Sequence, residues 1–128
     1  MRTAKDVEAY LSQLGRRYRA VDEQPGTFLV ETGADQAPMA VRVDPPLVIV
    51  RVRLGDLEKP SDHTNLFQKL LELNAQQLVH ASYGLEGRSV VLSSALELEN
   101  LDFNELQATV DEIDMALSTK LPGLSGPP

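Results

Sequence analysis

The sequence predicts an α+β domain in which helices pack on an antiparallel sheet. Segments with helical apolar spacing alternate with groups of short segments of period two, in the order α-β-β-β-α-β-β-α. About one turn signal separates each pair of neighbours, so the strands are joined by hairpins rather than by parallel crossovers. The 128 residues fit a single domain, expected over 1–120 with a flexible Pro/Gly tail at 121–128. The apolar fraction is ordinary for a globular protein, so a core can form without disulfides or a structural metal.

Thr3 followed by Asp6 reads as an N-cap with an acidic first turn, opening a helix from Ala4 to about Tyr18. Val7, Tyr10, Leu11, Leu14 and Tyr18 form its apolar stripe. Gly15, Arg16, Arg17 and Arg19 suit its C-terminus, where cations meet the negative end of the dipole.

Pro25-Gly26 is a turn, and 27–32 is rich in strand formers. A second turn is expected at 33–36, followed by alternation at Met39, Val41 and Val43. After Asp44-Pro45-Pro46, Val48, Val50, Val52 and Leu54 alternate with Ile49, Arg51 and Arg53. Pairing these two strands through the proline turn sets Val43 against Val48, Val41 against Val50, and Met39 against Val52. One face is then apolar, and Arg42, Ile49, Arg51 and Arg53 share the other. That other face is either an ordinary solvated side or a docking surface of arginines around Leu47 and Ile49.

Pro60-Ser61-Asp62 is expected to start a second helix, with Leu66, Phe67, Leu70, Leu71 and Leu73 as a broad apolar stripe. A hairpin should follow, with strands at 78–85 and 88–96 around Glu86-Gly87, setting Tyr83 against Val90 and Ala81 against Leu92. Asp102-Phe103-Asn104-Glu105 is a capping-box pattern before the stripe Leu106, Val110, Ile113 and Leu117.

Charge is uneven. Residues 1–60 hold nine Lys/Arg and nine Asp/Glu, whereas 61–128 hold three and ten, so the second half carries all of the formal −7. Such a balance repels polyanions, and no direct nucleic-acid partner is expected. No window approaches the ~20 continuous apolar residues of a membrane span, and no apolar signal core follows Met1; a cytoplasmic, membrane-free protein is expected.

The residues for chemistry are sparse. There is no cysteine, and the two histidines, His63 and His80, fit no metal-ligand spacing. Ser61, Asp62 and His63 are consecutive at a helix start, where capping explains them better than a triad, whose groups converge from separate segments. Gly84 and Gly87 match no phosphate-binding loop. Glu97, Glu99, Asp102 and Glu105 lack the pattern of a calcium loop. No catalytic residue, metal or cofactor is assigned.

The run Leu70-Leu71-Glu72-Leu73-Asn74, then Tyr83-Gly84-Leu85-Glu86-Gly87 and Val90-Val91-Leu92, followed by Leu96-Glu97-Leu98, Leu101 and the closing amphipathic helix, resembles the YbjN family and the class I type III secretion chaperones, which share the Tir chaperone fold. The resemblance is clearest over 64–117; over 1–54 it rests on element order. It implies a non-enzymatic homodimer that binds a partner polypeptide, often an extended or unfolded segment. In those chaperones the helix matching 62–75 and neighbouring strands make the dimer, and the first helix and first three strands bind the partner. The residues expected at the partner surface are Val7, Leu11, Leu29, Leu47, Ile49 and Arg51. Those expected at the dimer interface are Leu66, Phe67, Leu70 and Leu71. The alternative function is a small regulatory domain that takes a metabolite in a sheet–helix cleft.

Overall fold

A computed structural model describes residues 1–33, 37–58 and 62–124. The elements are α1 (Ala4–Gln13), β1 (Tyr18–Ala20), β2 (Thr27–Val30), β3 (Met39–Asp44), β4 (Leu47–Asp56), α2 (Thr64–Gln76), β5 (Ser82–Glu86), β6 (Ser89–Glu97) and α3 (Phe103–Leu117). The α+β class holds. The strands form one six-stranded antiparallel sheet in the order β1-β2-β3-β4-β6-β5.

The helix starts follow local chemistry. The Thr3 N–H donates to Asp6 Oδ2 at 2.8 Å while the Asp6 N–H donates to Thr3 Oγ1 at 3.4 Å, closing the capping box of α1. Asp102 and Glu105 do the same for α3, with the Glu105 N–H 2.8 Å from Asp102 Oδ1. At α2 the Thr64 N–H donates to Asp62 Oδ1 at 2.9 Å. Asp62 therefore serves the helix start, while Pro60 and Ser61 lie outside the described residues.

The first helix is shorter than expected, and a sixth strand, where five were expected, begins at its expected last residue, Tyr18. Leu14 caps α1, and Gly15 follows at φ +75°, a conformation that ends a helix cheaply only at glycine. Tyr18 then enters β1 opposite Val30. Its ring meets Phe28 edge-on at 6.2 Å, and its hydroxyl returns to α1 through Ser12 and Glu8. Tyr18 thus keeps the apolar contact that its helical spacing suggested, but reaches it from a strand.

Register decides the faces. Val43 stands opposite Val48 and Val41 opposite Val50, as expected. The second hairpin differs: Tyr83 faces Leu92, Leu85 faces Val90, and Ser82 rather than Ala81 begins the paired strand. The turn is Gly87-Arg88, with Gly87 at φ +62°. Moving a turn by one residue shifts pairing by two, so every side chain stays on its expected face.

Phe28, Val30, Met39, Val41, Val48, Val50, Val52, Tyr83, Val90 and Leu92 share one face of the sheet. Val7 and Leu11 of α1, Leu66 and Leu70 of α2, and Leu106, Val110 and Ile113 of α3 join them in one core cluster. All three helices therefore lie on that face. Truncating a fully buried member such as Leu92 to alanine is expected to cost about 2–5 kcal/mol.

This packing corrects four expected surface residues. Val7 and Leu11 are 0% and 1% exposed, and Leu66 and Leu70 are each 6% exposed. Each pair is spaced i, i+4 and forms the inward stripe of its helix, which the core consumes. Phe67 and Leu71 follow them by one residue, about 100° further round the helix. Phe67 is half-buried, and Leu71 is 68% exposed.

The C-terminal segment also differs from a free tail as far as Leu124. Leu121 and Leu124 pack on the core, Leu124 bridges to Leu57, and the Glu58 N–H donates to the Gly123 carbonyl at 3.2 Å. Residues 125–128, also expected to be flexible, lie outside the described residues.

Candidate functional site

With the helices on one face, the other face of the sheet is left bare. The strand registers lay its side chains out in rows. One row runs Arg19, Leu29, Ala40, Arg51, Ser93 and Ser82; another runs Thr27, Arg42, Ile49 and Ala95; a third runs Asp44, Leu47 and Glu97. Leu29, Ala40, Leu47 and Ile49 are half-buried, and Arg42, Arg51 and Ala95 are exposed. The small Ala40, Ala95, Ser82 and Ser93 keep the surface low around the larger apolar side chains. A shallow depression of about 300 Å³ runs over Ile49, Arg51, Ser93 and Ala95.

Three arginines of this face, Arg42, Arg51 and Arg53, are held by carboxylates. Arg51 reaches Glu86 at 2.7 Å, Arg42 reaches Asp44 at 3.3 Å, and Arg53 reaches Asp56 at 2.7 Å. Ser89 donates to Asp56 at 2.6 Å and accepts from Arg53 at 2.9 Å. The hydrogen bond from Ser89, then that from Arg53, hold the Asp56 carboxyl below its ordinary value. These pairs are exposed and contribute little to stability. They do fix where positive charge stands on the face.

The two edges of the sheet differ. At the β5 edge, the Tyr83 N–H donates to Asn74 Oδ1 at 2.8 Å, and Asn74 Nδ2 donates back to the Tyr83 carbonyl at 3.2 Å. The Glu112 carboxylate accepts from the N–H groups of Val79, His80 and Ala81 at 2.9–3.2 Å. Those donors would otherwise seek a strand, which explains why residues 78–81, expected in a strand, stay outside the sheet. His80, expected in the strand, lies in this bend, and its carbonyl accepts from Ser94 Oγ at 2.6 Å.

At the β1 edge the corresponding groups have no partner among the described residues. The Glu31 N–H donates to the Arg17 carbonyl and the Val21 N–H donates to the Thr27 carbonyl, each at 2.9 Å. Arg17, Arg19 and Val21 therefore hold the hydrogen-bonded positions against β2. By the alternation of an antiparallel ladder, the N–H and C=O groups of Tyr18 and Ala20 point away from the sheet. A depression of about 810 Å³ beside them is lined by Arg17, Tyr18, Arg19, Leu29, Glu31 and Pro38.

Two further surfaces lie at the opposite end. Phe67 and Leu71 line a groove of about 540 Å³ along the outer side of α2, and Leu85 of β5 and Met115 of α3 are also exposed. A crevice of about 320 Å³ runs between α2 and α3 past Leu73, Tyr83, Glu112 and Met115. Burial pushes the Tyr83 phenol above its ordinary value. The crevice is the nearest feature to a sheet–helix cleft, and its central carboxylate, Glu112, is already engaged by backbone.

Among the described residues, no group of three or more His, Asp or Glu side chains is placed to hold a metal. Asp102 and Glu105 of the acidic cluster serve the α3 cap. No described helix is long and apolar enough to cross a membrane. Of the residues expected at the partner surface, the bare face brings together Leu29, Leu47, Ile49 and Arg51, without Val7 and Leu11. Sequence reasoning missed the edge: Arg17 and Arg19 were read as helix C-terminal cations, yet α1 has no basic residue in its last turn. Gly15 is the signal that could have ended the helix early enough to free them.

The geometry has relatives. The fold is similar to that of the heterodimeric ExoU-SpcU complex from the type III secretion system of Pseudomonas aeruginosa, at TM-score 0.71 and 16% identity, covering 93% of this chain and 98% of that one. It is also similar to YbjN, a putative transcription regulator from E. coli (TM-score 0.65, 12% identity, 90% and 88% covered). The HopA1-SchA chaperone-effector complex gives TM-score 0.62 at 12% identity, with 89% and 88% covered. No curated protein sequence matches the chain. The family CesT_Tir_1 matches residues 1–125, and the chain belongs to this family of type III secretion chaperones.

Proposed function

We propose that the protein is a non-enzymatic, chaperone-like or adaptor module that acts in the cytoplasm by holding an extended segment of a partner polypeptide. The observation that carries this reading is the bare sheet face, where Leu29, Leu47 and Ile49 stand half-buried among arginines and continue to an edge with free backbone groups. An extended chain can satisfy such an edge and seat its apolar side chains beside it. Family membership and the fold's likeness to chaperone-effector complexes support the same class of role. The second half serves assembly in this reading: Phe67 and Leu71 on α2 join a second copy in a two-fold homodimer.

The test is affinity capture from the native host with wild type and with Ile49→Asp. Ile49 lies on the face away from the core, so the variant should fold with wild-type thermal stability and lose the captured polypeptide. A charge in the middle of an interface commonly costs roughly 2 kcal/mol or more, enough to remove it from a washed resin. Undiminished capture by folded Ile49→Asp would remove the bare face from the reading. Sedimentation equilibrium tests the assembly: wild type should be dimeric at micromolar concentration, and Leu71→Asp should shift it toward the 14.1 kDa monomer.

A further inference from the structure

The β1 edge carries a chemical preference as well as an opening. Of the described arginines, Arg2, Arg16, Arg42, Arg51, Arg53 and Arg88 each have a hydrogen-bond or ion-pair partner. Arg17 and Arg19 have none, and both are exposed. Glu31 is the register neighbour of Arg17, yet no ion pair joins their side chains. A protein of formal charge −7 thus places two free guanidinium groups beside an edge whose outward backbone groups no described residue claims.

The ladder geometry says what would meet them. Arg17 and Arg19 are hydrogen-bonded positions against β2, so toward the outside they are the non-hydrogen-bonded ones. Those are the positions where cross-strand side chains approach most closely, with Cα atoms about 4.5 Å apart. Both side chains point to the bare face, beside Leu29. A strand added outside β1 would pair its backbone with Tyr18 and Ala20 and put residues i and i+2 against the two arginines. Residue i+1 would point to the other side, toward the half-buried Tyr18.

We propose that this edge selects an acidic extended segment, with carboxylates at i and i+2 and an apolar residue between them. This inference rests on the reading that the protein holds an extended partner, and it names that partner's chemistry. Carboxylate–arginine pairs here would be charge-assisted and bidentate in the favourable case. A segment with lysine at the same positions would meet like charge.

The test uses the full chain, isotopically labelled, and three blocked peptides that alternate valine with glutamate, with serine or with lysine. The glutamate peptide should shift the amide resonances of Tyr18 and Ala20 and bind at least tenfold more tightly than the serine peptide, with the lysine peptide weakest. Arg17→Glu with Arg19→Glu should reverse that order, and the milder Arg19→Gln, checked by spectral dispersion, should weaken only the glutamate peptide. Raising salt should weaken the glutamate complex and leave the serine complex unchanged. Equal binding of the glutamate and serine peptides at Tyr18 and Ala20 would overturn acidic selection while leaving the holding of extended segments intact. Shifts confined to Leu29 and Ile49 would overturn the edge and keep the bare face. Binding of no peptide anywhere would overturn the proposal, and capture with Ile49→Asp would then decide separately on the proposed function.

Discussion

The two edges of the sheet present the same backbone chemistry and resolve it in opposite ways. At β5, α2 and α3 each lend a side chain: Asn74 clamps both polar groups of Tyr83, and Glu112 takes three successive N–H groups just before the strand. At β1, no described side chain reaches across, and the polar groups of Tyr18 and Ala20 face outward. An uncapped edge is a template for another chain, and proteins usually cover or charge such edges. Capping the β5 edge at Tyr83 and just before it, while leaving Tyr18 and Ala20 of β1 uncapped, biases strand addition toward β1. The free edge here is also short, three residues, which limits indiscriminate pairing.

The comparison can be broken most forcefully at Glu112. Glu112→Ala would leave three donors at 79–81 without their acceptor, one of them part-buried at Ala81. Hydrogen bonds to a charged group each contribute more than neutral ones, though solvent replaces some of them, so a loss of about 2–3 kcal/mol is expected. Urea denaturation monitored by circular dichroism measures it, and Glu112→Gln should recover roughly half, since one oxygen still accepts.

Asn74→Ala is the next test. It removes one donor and one acceptor from the β5 edge, for an expected loss of about 1–2 kcal/mol. It should also make the β5 edge resemble the β1 edge. Concentration-dependent association beyond that of wild type, seen in sedimentation velocity and absent for a surface control such as Lys69→Ala, would show that Asn74 guards the edge. A variant that is destabilised and unchanged in association would reduce Asn74 to a packing role.

The smallest effect concerns Asp56, between the two edges on the bare face. Its folded value lies below the ordinary 3.8, so its contribution is present above pH 3.8 and is lost as pH falls through the lower folded value. Wild type should therefore lose stability faster than Asp56→Asn on acidification below about pH 3.8, in urea titrations at fixed pH. Asp6 and Asp62 are depressed as well, by hydrogen bonds from Thr3 and Thr64. They titrate in both proteins and cancel from the difference.

Much of the frame was legible because it depends on period and local capping. The Val41–Val50 and Val43–Val48 pairs follow from alternation on each side of a proline turn, and both capping boxes follow from short polar spacings. What was hidden depends on contacts between distant segments. Glu112 lies more than thirty residues from the amides it binds, and nothing in helical spacing marks it. Tyr18 fits a helical stripe and a strand face equally well, and only the conformation at Gly15 separates the two. For the candidate site, Leu29, Leu47 and Ile49 were legible because a strand has two faces and the core takes one. Val7, Leu11, Leu66 and Leu70 were misplaced because amphipathicity does not say which apolar positions the core leaves over. Phe67 and Leu71 occupy the leftover positions on α2.

Hydrogen exchange of the backbone amides, with and without the polypeptide that co-purifies with the protein, tests the account most directly. In the free protein, Tyr18 and Ala20 should exchange rapidly while Tyr83 and Ala81 are protected by Asn74 and Glu112. In the complex, protection should rise at Tyr18 and Ala20 and along the bare face, and stay unchanged at Tyr83. New protection over Ser82–Glu86 with none at Tyr18 and Ala20 would contradict the claim that the partner enters at the β1 edge.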